Sequence, residues 1–181
     1  MDISPLKAFP FVFNLSALFI CLYHGKPLQR IFITATYSIT TFYHIKIVTF
    51  QPRITLNTTL TQSKYCPHCN LTVPQQSKHS QRAGYCIARY DHFCVLFQIP
   101  IGQKNVLLYL TMQILEICYT IQLLIVLSNA MMSKNECGPG EVVHVVLSIV
   151  VLLGVSMTFL QLVAYTVKGT TQYESKNGKK K

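Results

Sequence analysis

The chain has 181 residues, 50% of them hydrophobic and only 12% charged, with a net charge of +10. That balance is too apolar for an ordinary soluble domain and points to a membrane protein. Counting lysine and arginine minus acids gives +3 over 1–50, +5 over 51–105, −2 over 106–167 and +4 over 168–181. This distribution follows membrane topology rather than a nucleic-acid footprint, so nucleic acid is not an expected partner.

In chain order, residues 1–7 precede a short apolar stretch, 8–23, which contains Pro10. A secretory signal is the alternative for that stretch, but its charged flank is only Lys7 against Asp2 and no small-x-small cleavage site follows. A loop over 24–30 carries Lys26 and Arg30 and leads into a threonine-rich span, 31–50, with His44 and Lys46 near its end. A hydrophilic block, 51–105, is punctuated by Pro52, Pro67, Pro74, Gly84 and Pro100 and has few runs of helical periodicity. Next come a span over 106–128 with one acid, Glu116, a turn over 129–141, a span over 142–167 and a basic tail, 168–181. The last two spans exceed the ~20 apolar residues that cross a bilayer core. Two crossings between the basic block and the basic tail put both on one face, which the abundance of Lys and Arg makes the cytosol, and the loop over 24–30 then lies in the lumen.

The expected fold is therefore an all-α polytopic membrane protein. Four transmembrane helices carry a cytosolic, loop-rich, zinc-stabilised, cysteine-rich domain between helices 2 and 3. Glu116 should face the bundle interior or a water-filled pocket, either lining a substrate cavity or bonding a neighbouring helix.

Of seven cysteines, Cys66, Cys69, Cys86 and Cys94 lie within 29 residues of the block assigned to the reducing cytosol, which favours metal binding or catalysis over disulfides. Cys21 and Cys118 read as packing residues, and Cys137 falls in the turn over 129–141. Cys66 and Cys69 form a Cys-x-x-Cys knuckle, and His79 and Cys86 complete a tetrahedral set that suits one structural zinc. His68, inside the knuckle, is a bystander. About 55 polar residues without a core of their own need such a metal to order them. Downstream, Asp91, His92 and Cys94 place a carboxylate, an imidazole and a thiol within four residues. Histidine can take the thiol proton and aspartate can hold the imidazole, leaving a thiolate nucleophile.

With these residues in place, the block 65–105 resembles the cysteine-rich domain of the DHHC family of protein acyltransferases. Cys66, Cys69, His79 and Cys86 match that family's first zinc site. Asp91, His92 and Cys94 match its catalytic signature, Gly102 and Asn105 its Gly-x-x-Asn element, and Thr170, Thr171 and Glu174 a loosened Thr-Thr-x-Glu motif. Ser80, Ala83, Phe93 and Pro100 stand where the family carries a second zinc site, so one zinc is expected. Val95 and Leu96 replace a Pro-Trp pair, and Gln51-Pro52-Arg53 stands in place of Asp-Pro-Gly.

The resemblance implies a palmitoyltransferase of an endomembrane, endoplasmic reticulum or Golgi. Cys94 would take a long-chain acyl group from palmitoyl-CoA and pass it to cysteines of membrane-associated proteins. Its partners would be the lipid bilayer, acyl-CoA and those protein substrates, with Lys104 and Arg89 as candidate contacts for CoA phosphates or anionic lipid. Two rivals are a non-catalytic membrane adaptor that keeps the zinc knuckle and an unrelated zinc-bearing membrane protein.

Overall fold

The computed structural model describes residues 5–55, 62–134 and 138–178. Expectations placed on residues 1–4, on Cys137 and on the terminal lysines lie outside the described residues. The chain divides into two compact units, Met1–Lys46 with Leu110–Gln161, and Ile47–Tyr109 with Leu162–Lys181.

The first unit is helical. Helix α1 (Pro5–His24) and helix α2 (Pro27–Thr49) each open on a proline, whose missing N–H costs nothing in a first turn. The link between them is two residues, tighter than a loop over 24–30. Gly25 N donates to the Cys21 carbonyl at 2.7 Å, and a Cβ there would sit 2.6 Å from that same oxygen, which leaves room only for glycine. Arg30 Nε donates to the Gly25 carbonyl at 2.6 Å, so this cation, at odds with a luminal loop on charge alone, caps the end of α1.

Helix α3 (Val106–Lys134) and helix α4 (Pro139–Val167) have 29 residues each and rise about 43 Å at ~1.5 Å per residue, more than a ~30 Å hydrocarbon core requires. Helix α3 outruns the apolar stretch at 106–128 because Asn129 to Lys134 hold no strong breaker before Gly138 and Pro139.

Among the described residues these two helices alone have the length and composition of membrane spans. Helix α2 carries Arg30, Lys46 and hydroxyls that bond back onto its own backbone, as Thr34 does to the Arg30 carbonyl at 2.7 Å and Ser38 to the Thr34 carbonyl at 2.8 Å.

The unit's core joins Ala17, Leu18 and Cys21 of α1, Ile33 of α2, and Tyr119, Leu123, Val126 and Leu127 of α3. Spacing of i, i+4, i+8 puts Tyr119, Leu123 and Leu127 on one face of α3. Ile114, Cys118, Ile121 and Ile125 lie outside it, which corrects the reading of Cys118 as a packing residue: it is exposed. Glu116 is buried, accepting from Asn14 Nδ2 at 3.3 Å and meeting His44 Nε2 at 3.4 Å, so two helices bond a carboxylate carried by a third. Helix α4 leaves Val146, Val150, Leu153, Met157 and Leu160 exposed, an apolar face that suits lipid rather than water.

The second unit is where an all-α description stops. It holds three antiparallel hairpins: β1 (Ser63–Cys66) with β2 (Leu71–Pro74), β3 (Lys78–Ser80) with β4 (Tyr85–Ile87), and β5 (His92–Cys94) with β6 (Ile99–Ile101). Left-handed residues turn each one: Asn70 in the first, Gly84 in the second and Gln98 in the third. Strands of three or four residues are marginal by themselves and need other ties. A small core of Ile54, Cys66, Val73 and Cys86 supplies some of them. The short helix α5 (Gln172–Asn177) closes the unit, with Thr171 and Glu174 forming a reciprocal capping box.

Candidate functional site

The first two hairpins bring Cys66, Cys69, His79 and Cys86 together, with all four donor atoms within 4.8 Å of one another. His79 Nδ1 lies 3.2 Å from the Cys69 sulfur and 3.8 Å from those of Cys66 and Cys86. The register explains the meeting: His79 and Cys86 are direct partners across β3 and β4, while the β1–β2 turn supplies Cys66 and Cys69. A tetrahedral ion with ~2.3 Å metal–sulfur and ~2.0 Å metal–nitrogen bonds needs donors spaced about this far apart, so the residues fit a metal. Burial pushes the Cys86 thiol up to about 12, reinforced by the neighbouring Cys66 and Cys69. Crowded thiols of this kind ionise together only around a cation. His68 stacks on the His79 ring at a centroid distance of 4.8 Å and stays outside the cluster.

The third hairpin carries the other set. Alternation along β5 puts the His92 and Cys94 side chains on one face and Phe93 on the other. Asp91 Oδ2 accepts from His92 Nδ1 at 2.7 Å, which leaves Nε2 for the Cys94 thiol, and the two are hydrogen-bonded. Burial alone would lower the His92 pKa, but the bonds to Asp91 and Cys94 outweigh it and raise it to about 9. Burial opposes ionisation of Cys94, yet the His92 bond, the Phe97 backbone amide and the Tyr109 hydroxyl together bring its pKa down. Both shifts favour transfer of the thiol proton to the imidazole, which makes the Cys94 sulfur the readily ionised group of the site.

Two braces hold this arrangement. The other Asp91 oxygen, Oδ1, accepts the Gln172 backbone N–H at 2.6 Å, a donor left open in the first turn of α5 and aimed by the Thr171 capping box. At the far end of the hairpin the buried Asn105 donates to the Pro100 carbonyl at 3.0 Å and accepts from Gly102 N at 2.9 Å. Gly102 itself has no space for a side chain, since a Cβ would lie 2.5 Å from Ile87 Cγ2 and 2.8 Å from the Ala88 carbonyl oxygen.

The four positions without second-site ligands have other partners. Phe93 faces Pro100 across β5 and β6, the Arg82 guanidinium sits 5.3 Å over the Phe93 ring, and Ser80 Oγ accepts from Ala83 N at 3.3 Å. Of the cations considered for phosphate contact, Lys104 donates to the Arg53 carbonyl at 2.9 Å and Arg89 to the Gly169 carbonyl. Both already have backbone partners.

Sequence reasoning did not find Tyr109. Its hydroxyl lies 3.7 Å from Cys94 Sγ, and its ring meets those of His92 and Phe97 edge-on. The Gln172 amide was also missed. A buried tyrosine one helical turn beyond Asn105 was the available signal for the first; a backbone donor 81 residues from Asp91 left none for the second.

A cysteine hydrogen-bonded to an aspartate-held imidazole, in the same small hairpin unit as a Cys3His cluster that could hold a metal, defines the class of site to compare with known proteins. The DHHC palmitoyltransferase family profile matches residues 59–179, well over half of the chain, and the chain belongs to that family. Palmitoyltransferase PFA5 of Eremothecium gossypii is 29% identical across 61% of this chain and 33% of its own length. Its namesake from Kluyveromyces lactis is 26% identical across 61% and 32%. Palmitoyltransferase ZDHHC23-A of Danio rerio is 40% identical over 42 residues, 23% of this chain. The chain spans about a third of the length of the two PFA5 relatives it matches. Family membership and the two apolar helices together make the chain membrane-associated.

Proposed function

We propose that the chain is a protein-cysteine S-acyltransferase that carries a long-chain acyl group, palmitoyl above all, on Cys94. The observation that carries this reading is the relay of the Asp91 carboxylate, the His92 imidazole and the Cys94 sulfur, with 2.7 Å between the first two and with His92 and Cys94 on one face of β5. Proton transfer from Cys94 to His92 Nε2 generates the nucleophile. The sulfur then attacks the acyl-CoA thioester carbonyl, the bond to CoA sulfur breaks, and the leaving thiolate recovers the proton from His92. In the second half the same steps run with a substrate cysteine as attacking group and Cys94 as leaving group. Asp91 holds the tautomer and offsets the imidazolium charge.

Cys66, Cys69, His79 and Cys86 would hold one zinc, which would cross-link β1 to β4 and perform no chemistry on substrate, because four protein ligands close its coordination shell. The substrates would be cysteines of membrane-associated proteins. The basic block and tail would face the cytosol of an endomembrane such as the endoplasmic reticulum or Golgi, an orientation that their +5 and +4 charge supports.

Labelling with a clickable palmitate analogue tests the reading. Wild type should show a hydroxylamine-sensitive adduct and Cys94→Ser should fall to background. Equal labelling of both would overturn it.

A further inference from the structure

We infer that the Tyr109 hydroxyl is a catalytic group of this site, donating a hydrogen bond to the Cys94 sulfur whenever that sulfur is a thiolate. The inference rests on the reading of Cys94 as the acyl carrier.

Its geometric basis is local. The hydroxyl lies 3.7 Å from Sγ, within reach for a sulfur acceptor, and both residues are buried, Tyr109 at 5% and Cys94 at 8% exposure. A buried phenol without a partner is costly, and the sulfur is the partner at hand. Both ends of the bond are fixed. Tyr109 N donates to the Asn105 carbonyl at 2.9 Å, and Asn105 bonds the end of the same hairpin that carries Cys94. The ring is wedged at 64° to His92 and 83° to Phe97, which leaves its oxygen little freedom to turn elsewhere. The groups facing the sulfur are His92 from β5, Tyr109 from α3 and the Phe97 amide from the β5–β6 turn, with Asp91 acting through His92. Cys94 ionises more readily in this setting, and Tyr109 is among the causes.

The chemistry needs no further reagent. His92 takes the S–H proton and later returns it to the departing CoA thiolate, while the phenolic O–H bond stays intact throughout. Negative charge sits on Sγ before acylation and returns to it when the acyl group leaves for a substrate cysteine. A donor aimed at Sγ favours those charged states over the neutral thioester between them, so both half-reactions feel it. A ring that only filled space would not discriminate among them.

Tyr109→Phe removes the oxygen and keeps the ring. The purified full chain in detergent would be compared as wild type, Tyr109→Phe, Tyr119→Phe and Cys94→Ser. Two readouts are taken: alkylation of the Cys94 peptide by iodoacetamide across pH, and palmitoyl transfer from palmitoyl-CoA with kcat and KM separated. We expect Tyr109→Phe to lower alkylation at neutral pH by roughly 3- to 10-fold, to move its midpoint to higher pH, and to lower kcat with KM within about twofold. Tyr119→Phe, which removes a buried phenol hydroxyl that bonds the Asn14 carbonyl and leaves the Cys94 site untouched, should leave the midpoint in place. A wild-type profile for Tyr109→Phe, or an equal shift from Tyr119→Phe, overturns the inference while Cys94→Ser remains inactive. Acyl transfer that survives in Cys94→Ser overturns the parent reading instead.

Discussion

The first two hairpins and the third are built from similarly short strands, of three or four residues, and are held in different ways. The first two hairpins converge on three thiols and an imidazole, with Ile54 and Val73 packed against Cys66 and Cys86, a donor set that fits a metal. The β5–β6 hairpin has no such cluster. Its strands are closed by the Asn105 amide, by Gly102 packed without a side chain against Ile87, and by Phe93 facing Pro100 under the Arg82 guanidinium. In the proposed one-zinc reading, apolar pairing and a buried side-chain amide hold the third hairpin where no second metal cross-link is expected. The contrast also separates tasks, because the hairpin that carries Cys94 is held by groups other than the Cys3His cluster.

Removing the metal should break this comparison most. Chelation, or His79→Ala, removes an interaction of about 10–16 kcal/mol in comparable small zinc sites, more than a domain's whole stability. Purified protein should contain about one zinc per chain, and His79→Ala should lose it together with the cooperative thermal transition of the hairpin unit. A content of two would show that the third hairpin is metal-bound after all.

The next largest effect concerns the relay. Asp91→Asn preserves the acceptor for Gln172 N–H but no longer holds the imidazolium, so acylation should fall roughly 10²- to 10⁴-fold with zinc content unchanged. A loss under about threefold would show that His92 needs no carboxylate.

Asn105→Ala sharpens the contrast from the other side. It leaves a buried carbonyl and a buried amide without partners and should cost about 2–4 kcal/mol of stability, read as a lower thermal midpoint, while zinc stays bound. Simultaneous zinc loss would mean that the hairpins unfold as one.

A subtler signature is pH dependence. His92 titrates at about 9 in the folded site against an ordinary value of 6.5, so its stabilising contribution is complete below 6.5 and is lost as pH rises through about 9. Cys94 is shifted the opposite way; its contribution holds above its ordinary value and is lost as pH falls through the lowered one. The imidazolium–thiolate pair therefore persists between that lowered value and about 9. Thermal midpoints of wild type relative to His92→Gln should converge above pH 9, and a constant gap there would contradict the pairing. The smallest effect is expected from Arg82→Ala, about 0.5–1 kcal/mol for one cation–π contact over Phe93, visible only in careful thermal melts.

What the sequence determined by itself was local chemistry. Cys66 and Cys69 are three residues apart, and Asp91, His92 and Cys94 fall within four, so one turn or one strand suffices to bring each group together, and their spacing alone announces it. The lengths of the apolar runs at 106–128 and 142–167 likewise carry their own message, since bilayer thickness is a fixed ruler.

The hairpins were not legible, because strands of three or four residues are too short to show a period. Tertiary structure alone decided that the Gln172 amide braces Asp91 across 81 positions, that Asn14 and His44 meet Glu116, and that Tyr109 reaches Cys94. Each of those contacts joins residues on different elements. Their meeting depends on how the whole unit packs, a cooperative outcome that no spacing within a short window encodes.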